Sequence, residues 1–301
     1  MKKFARITVV LAIICSTQVS YGQKWFKTSE LEFGLIVGFS HYSGDLTQSY
    51  FETRGFKPSV GIITRYTPNE TVTFRLSGQF GGMEGDDNWY DPVEDEIPRQ
   101  LHFRSRLWDF TAAAEWNLIT IDPRRSSGAI PYLFAGISVF KFNPESQFIF
   151  DPSSPHMTRP NSSYPNLSDR DGQWVELQPL ATEGQETTEF NERKRYSLTQ
   201  IAIPVGGGFK FKLNNKWAVG LEYGIRFTFT DYLDDVSTTY VEPTRIEAQY
   251  GPMAAAMADR SPTLHLEGDP RGNNQKDDSY GIFGLTITYR IYGNRDQCAQ
   301  F

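Results

Sequence analysis

The chain has 301 residues with 36 acidic side chains against 30 Lys and Arg, a net charge of −6, and so offers no basic footprint for nucleic acid. One large domain or two ordinary ones fit this length. Mean hydropathy is −0.46, and beyond the first residues no run reaches the roughly 18 apolar residues of a membrane helix; a barrel stays open, because only its alternate residues meet lipid.

The start, MKKFARITVVLAIICSTQVSYGQ, has the three parts of a secretory signal: Lys2, Lys3 and Arg6, an apolar core from Ile7 to Cys15, and small residues at Ser20 and Gly22. Cleavage is expected after Gly22, giving a signal peptide over 1–22 and a single barrel domain over 23–301. The large Ile14 ahead of Cys15 argues against a lipoprotein signal. Removal of the signal leaves Cys298 alone, so no disulfide can form within the mature chain.

Two-residue periodicity, the mark of an extended strand with two unlike faces, recurs about eight times. First, Leu31, Phe33, Leu35, Val37 and Phe39 face one way, with Glu32, Gly34, Gly38 and Ser40 opposite. The second is Val60 to Tyr66, with Arg65 inward. The third sets Val72, Phe74, Leu76 and Phe80 against Thr73, Arg75, Ser77 and Gln79. The fourth, Leu101 to Leu118, changes phase from Leu101, Phe103 and Leu107 to Phe110, Ala112, Ala114, Trp116 and Leu118, which suggests a bulge near Trp108 and Asp109.

The fifth, from Ile130, is apolar on both parities, so its register is unreadable. In the sixth, IPVGGGFKFKL, Val205, Phe209, Phe211 and Leu213 point out and Lys210 and Lys212 in. Pro204 cannot donate to a ladder and is expected at the outer rim or a bulge, while Gly206 to Gly208 permit tight bending. In the seventh, WAVGLEYGIRFTF from Trp217, every odd residue is large and apolar. At about 3.3 Å per residue it reaches roughly 43 Å, which suits a tilted crossing of a bilayer and is about twice an ordinary strand. The eighth sets Phe283, Leu285, Ile287, Tyr289 and Ile291 against Gly284, Thr286, Thr288 and Arg290.

Short connections near Thr67, at IDPRRSSG and at LNNKW alternate with long ones over residues 43–56, 81–100, 143–195 and 231–279. Outer-membrane barrels put short turns in the periplasm and long loops outside. The expected fold is therefore all-β: a transmembrane antiparallel up-and-down β-barrel of about eight strands with long extracellular loops. Tyr66, Trp116, Trp217, Tyr289 and Tyr292 fall at the short-turn end, and Phe39, Phe80, Phe140, Phe142, Phe229 and Tyr280 at the long-loop end, as two aromatic girdles.

Inside, Arg65, Arg75, Glu115, Lys210, Glu222, Arg226 and Arg290 must share a narrow lumen. Unpaired charge there is costly, so a structural network and a plugged lumen are expected. For chemistry, His41 and His102 have Ser40, Ser43 and Ser105 nearby in sequence, and His156 and His265 complete the histidines; no motif marks a nucleophile, and no catalysis and no cofactor are expected. The acidic run EGDDNWYDPVEDE lacks the spacing of a calcium loop and reads as a solvated loop. Asp231, Asp234 and Asp235 mark where the seventh strand leaves the membrane, needing water or partners.

ELEFGLIVGFSHYSGDL, FKPSVGIITRY, FRSRLWDFTAAAEWN, PYLFAGISVFKFNP, LQPLATEGQ, IPVGGGFKF, FTDYLDDVSTTY and GDPRGN together make the chain resemble the PorG-like outer-membrane proteins associated with the type IX secretion system of Bacteroidota. PYLFAG, LQPL-x-TEGQ and TDYLDD, the last being Thr230, Asp231, Tyr232, Leu233, Asp234 and Asp235, are the most specific. The resemblance implies an outer-membrane, non-enzymatic component of the secretion and gliding machinery, whose partners are membrane lipid and a periplasmic ring built of a lipoprotein and its partner subunit. Short turns offer little area for such a ring, so contact is expected through Gln23 to Glu30, the turn holding Arg124 and Arg125, and the tail from Gly293. A surface adhesion or structural barrel that binds through its loops, and a lipid-modifying barrel enzyme, are the alternatives.

Overall fold

Eight long strands carry the alternation, in a computed structural model that describes residues 29–49, 51–90, 97–119 and 128–292. They are β1 (Glu30–Ser43), β2 (Lys57–Thr67), β3 (Val72–Asp86), β4 (His102–Asn117), β5 (Gly128–Lys141), β8 (Thr199–Lys212), β9 (Trp217–Thr228) and β10 (Ser279–Tyr292). Every neighbour is antiparallel, and β10 returns to β1, with Phe33 opposite Tyr289 and Phe39 opposite Phe283. Two short strands, β6 (Pro144–Gln147) and β7 (Trp174–Glu176), extend the sheet from the upper end of β4. Closure leaves the long strands without a free edge, the condition for crossing a bilayer with strands.

The outward residues are those a soluble protein would hide. Leu35, Ile62, Leu76, Phe110 and Ile137 are 57–66% exposed, in a belt that runs around the cylinder. Monomers in water rarely expose more than a few hundred Å² of contiguous apolar surface, so hydrocarbon is the solvent of this belt. The molecule is a membrane-spanning β-barrel of the outer-membrane kind. Among the described residues no helix is long and apolar enough to cross a membrane.

In four places the fold departs from the expected pattern. β4 has no bulge: its ladder with β3 runs unbroken from Val72–Trp116 to Asp86–His102, and its ladder with β5 is continuous. Instead Leu101, Phe103 and Leu107 point inward and are buried. Pro204 sits mid-strand with its side chain buried; it interrupts the β5 ladder opposite Gly136 and Ile137 without shifting the register, and still pairs with Arg226 of β9. Phe140, Phe142 and Tyr280 are buried and belong to an interior core, not the upper girdle, where Phe39, Phe80 and Phe229 remain and Trp108 joins Phe80 at a ring distance of 4.7 Å. Lastly, the loop over 231–279 is not wholly irregular, for it holds α1 (Pro243–Tyr250) and α2 (Pro252–Ala258).

Each helix opens on a proline, which lacks the donor that the first turn leaves unpaired anyway. Gly251 joins them at φ 87, a left-handed conformation that suits glycine. α2 is buried from Met253 through Ala258, as expected for a helix apolar all round. The glycines of β8 and β9 make space as well as bends: a Cβ on Gly206 or Gly224 would come within 2.6 Å of the Phe134 ring. The 1–22 signal, Arg124 and Arg125, the side chain of Tyr292 and the tail from Gly293 lie outside the described residues.

Candidate functional site

The lumen is filled by ion pairs in three levels. At the centre, Arg65 donates to Glu115 at 2.8 Å and to Glu222 at 3.0 Å, while Arg75 grips Glu222 through both terminal nitrogens at 3.0 and 2.8 Å. Tyr132 donates its hydroxyl to Glu222 at 2.6 Å, and Lys210 Nζ lies 3.6 Å from Glu115. Nearer the long loops, Arg226 is 3.6 Å from Asp109, which accepts from Tyr280 and Thr111 at 2.7 Å each. Toward the short turns, Arg290 pairs with Glu30 and lies 3.6 Å from Glu32.

The seven expected lumen residues are therefore distributed over this network, and Glu30, Glu32, Asp109 and Tyr132 complete it. Glu32 stands on the inward face by simple alternation. Asp109 was obscured by the supposed bulge. Such pairs are close to neutral for stability when complete, because desolvation offsets attraction, but losing one partner costs about 3–5 kcal/mol. Functionally they plug the cylinder: the Arg75 guanidinium sits over the Phe134 ring at 4.7 Å, and side chains occupy the section where a porin would hold water.

Above the membrane the long loops fold into a cap. Its apolar core includes Tyr42, Leu46, Phe103, Phe142, Leu177 and Leu233. Beside that core stands a buried polar cluster assembled from three distant segments. Glu183 is fully buried and accepts from the Ser237 amide at 2.8 Å, the Thr238 hydroxyl at 2.6 Å and the Tyr232 hydroxyl at 3.1 Å. Arg271 donates to Glu183 at 3.1 Å and to the Ala258 carbonyl at 3.1 Å, and also reaches Asp235. Asp235, at φ 69, accepts from Tyr196 at 2.7 Å and from Thr182. Tyr42 donates to Asp234 and lies 3.3 Å from Asp278, whose other oxygen accepts the Leu233 amide at 2.9 Å.

Of water or partners, Asp231, Asp234 and Asp235 take the second course: they stand just past the end of β9 and are buried within the cap. Burial raises the Asp235 carboxyl to about 6, with Arg271 pulling it back. Burial likewise raises Asp231 to about 7, with a hydrogen bond from Ser237 opposing and the charges of Asp45 and Glu183 adding to the rise. Asp234 and Asp278 are pushed well above the ordinary range by burial and then by neighbouring carboxylates, Asp45 for the first and Asp234 for the second. Alternation could not find this cluster, since TEGQ lies in the connection between β5 and β8 while TDYLDD and GDPRGN stand far apart in the connection between β9 and β10.

Next to it opens a cleft of about 670 Å³ walled by Asp45, Tyr90, Arg99, His265 and Asn273 among others. Arg99 ties three loops across it, donating to Asp87 at 2.6 Å, the Asp45 carbonyl at 2.9 Å and the Arg271 carbonyl at 2.6 Å. The histidines take structural contacts. His41 stacks between Phe51 and Phe56, with Nε2 3.1 Å from the Tyr223 hydroxyl. His102 Nε2 accepts the Gln147 amide at 3.1 Å, and His156 meets the Asp259 carbonyl at 2.8 Å.

Ser40 donates to the Gly82 carbonyl and Ser105 to that of Arg106. Ser261 and Asp259 approach the same nitrogen of His265, at 3.1 and 3.3 Å, whereas a proton relay needs opposite nitrogens. Among the described residues no group of three or more His, Cys, Asp or Glu is arranged to hold a metal ion. In the acidic run, Glu84 pairs with Lys57 and Asp87 with Arg99.

A family model described as a domain of unknown function (DUF6089) matches residues 5–162 and 180–253. No curated protein matches the chain. Among solved structures, similarity extends to OprG of Pseudomonas aeruginosa, at 9% identity over 88% of this chain and 96% of that one with a TM-score of 0.39. Neisserial surface protein A is similar at 11% identity over 87% and 96% with a TM-score of 0.37. The N-terminal β-barrel domain of Pseudomonas aeruginosa OprF follows at 11% identity over 88% and 98% with a TM-score of 0.34.

Proposed function

Starting from a chain that belongs to the DUF6089 family, we propose a non-enzymatic outer-membrane component of the type IX secretion and gliding machinery, a plugged barrel that anchors the periplasmic ring and holds an ordered platform at the cell surface. The observation that carries this reading is the convergence of TEGQ, TDYLDD and GDPRGN, segments of the PorG-like resemblance, on the Glu183–Arg271–Asp235 cluster of the cap. A plugged lumen suits an anchor better than a conduit. The ring would be met through the turn that carries Arg124 and Arg125.

The test is affinity purification of the full chain from gently solubilised outer membranes, followed by mass spectrometry. Wild type should bring down ring or translocon subunits. Arg124→Ala with Arg125→Ala should lose the ring while the barrel keeps its heat-modifiable mobility. Failure of wild type to retrieve any secretion subunit would overturn the reading. A second reading, surface adhesion through the loops, is favoured by the 670 Å³ cleft; it expects Arg99→Ala to abolish cell-surface binding and to leave ring recovery intact.

A further inference from the structure

The outer wall of β3, β4 and β5 carries positive charge where the apolar belt ends. Trp108 and Phe110 of β4 face lipid, and the next outward residues toward the cap are Arg106 and Arg104. On β5, Val139 faces lipid and the next outward residue is Lys141, directly across from Trp108. That register makes Arg106 and Lys141 diagonal neighbours, within reach of one small ligand.

Their surroundings leave both cations available. Arg104 is held by Glu145 at 3.3 Å and lies over the Trp174 ring at 3.4 Å, and Lys57 is paired with Glu84. Arg106 and Lys141 are exposed and have no ion pair or side-chain hydrogen bond among the described residues. Four cations, Lys57, Arg104, Arg106 and Lys141, against Glu84, Glu145 and Glu176 leave this patch a local excess of one positive charge, on a chain whose net charge is −6. The outward residues at the same end of β9 and β10 are Phe227, Ser279 and Gly281, with no cation. A ring of snorkelling side chains would be spread around the barrel, whereas the ends of β9 and β10 carry none.

A shallow cavity of about 450 Å³ lies in that wall beside Arg106, bounded by Lys57, Gly82, Glu84, Arg104, Glu145 and Trp174 among others. Gly82 stands directly opposite Arg106 and puts no side chain in front of it. We propose that this wall binds a phosphorylated glycolipid of the outer leaflet, its phosphate held between Arg106 and Lys141 and its acyl chains laid down Trp108, Phe110 and Ile137. Guanidinium meets phosphate through two parallel hydrogen bonds, and Lys141 adds a point charge. The aromatic rings below supply the apolar contact that a soluble anion could not use.

The experiment is native mass spectrometry of the full chain in dodecyl maltoside micelles, titrated with bisphosphoryl lipid A, its dephosphorylated form, dioleoyl phosphatidylglycerol and a heparin octasaccharide. Wild type should retain bisphosphoryl lipid A preferentially. Arg106→Gln combined with Lys141→Gln should weaken that retention by about tenfold or more, Arg106→Lys should keep part of it, and Lys216→Gln at the short-turn end should change nothing. Heat-modifiable mobility reports folding of each variant. Equal retention of the dephosphorylated lipid, equal binding of the heparin fragment or of phosphatidylglycerol, or unchanged retention in a folded Arg106→Gln, Lys141→Gln variant would each overturn the proposal.

Discussion

Within β4 the membrane section and the cap section are inside-out versions of one another. In the membrane Trp108 and Phe110 face outward while Asp109 and Thr111 face inward; nearer the cap Arg104 and Arg106 face outward while Phe103 and Leu107 are buried inside. The backbone alternation passes through without a break. What changes is the solvent: hydrocarbon outside and ions inside below Leu107, water outside and a dry core inside above it. The same reversal occurs on β5, where Phe140 is buried one residue before the outward Lys141. A switch of hydrophobic phase thus reports the membrane surface as readily as it reports a bulge.

If the two sections are held together differently, they should fail separately. The largest effect is expected from Glu222→Gln, which leaves the buried Arg65 and Arg75 guanidinium groups short of a carboxylate. Unfolding from lipid vesicles in urea should show the whole barrel destabilised by about 3–5 kcal/mol. Arg271→Ala should act on the cap alone, because its partners Glu183 and Asp235 are both cap residues. Cap amides should lose about 3 kcal/mol of hydrogen-exchange protection while strand amides between Leu31 and Thr67 keep theirs. Simultaneous loss in both sections would break the comparison.

The third effect concerns pH. With folded carboxyls raised to about 6 at Asp235 and about 7 at Asp231, the folded cap holds protons that the unfolded chain releases above about pH 4. Cap stability is therefore greatest below about pH 4, falls as pH rises between about 4 and 7, and levels off beyond that. Hydrogen exchange corrected for intrinsic rate, compared at pH 5 and pH 8, should show looser cap amides at pH 8. Asp231→Asn should flatten that difference.

Much of the barrel was legible. Strict alternation from Trp217 to Phe229 and from Phe283 to Ile291 carries its own register, because in a strand the side-chain period is two whatever lies beyond. Lumen charge was legible for the same reason, since Arg65, Glu222 and Arg290 fall on the polar parity. The missing donor of Pro204 points to the outer rim or a bulge, whereas a ladder can lose contacts at Gly136 and Ile137 and keep its register. Phe140, Phe142 and Tyr280 misled because an aromatic at a strand end serves a lipid girdle and a buried core equally well.

The sequence by itself determined the strands, their polar and apolar faces, and the alternation of short turns with long loops, all properties of residues a few positions apart. Only the tertiary structure decided where the outside of a strand stops being lipid, which carboxylate meets which guanidinium, and that Glu183, Asp235 and Arg271 share one site. Those are distances between segments separated by 36 to 88 residues, set when the cylinder closes and its loops pack, and no local period encodes them.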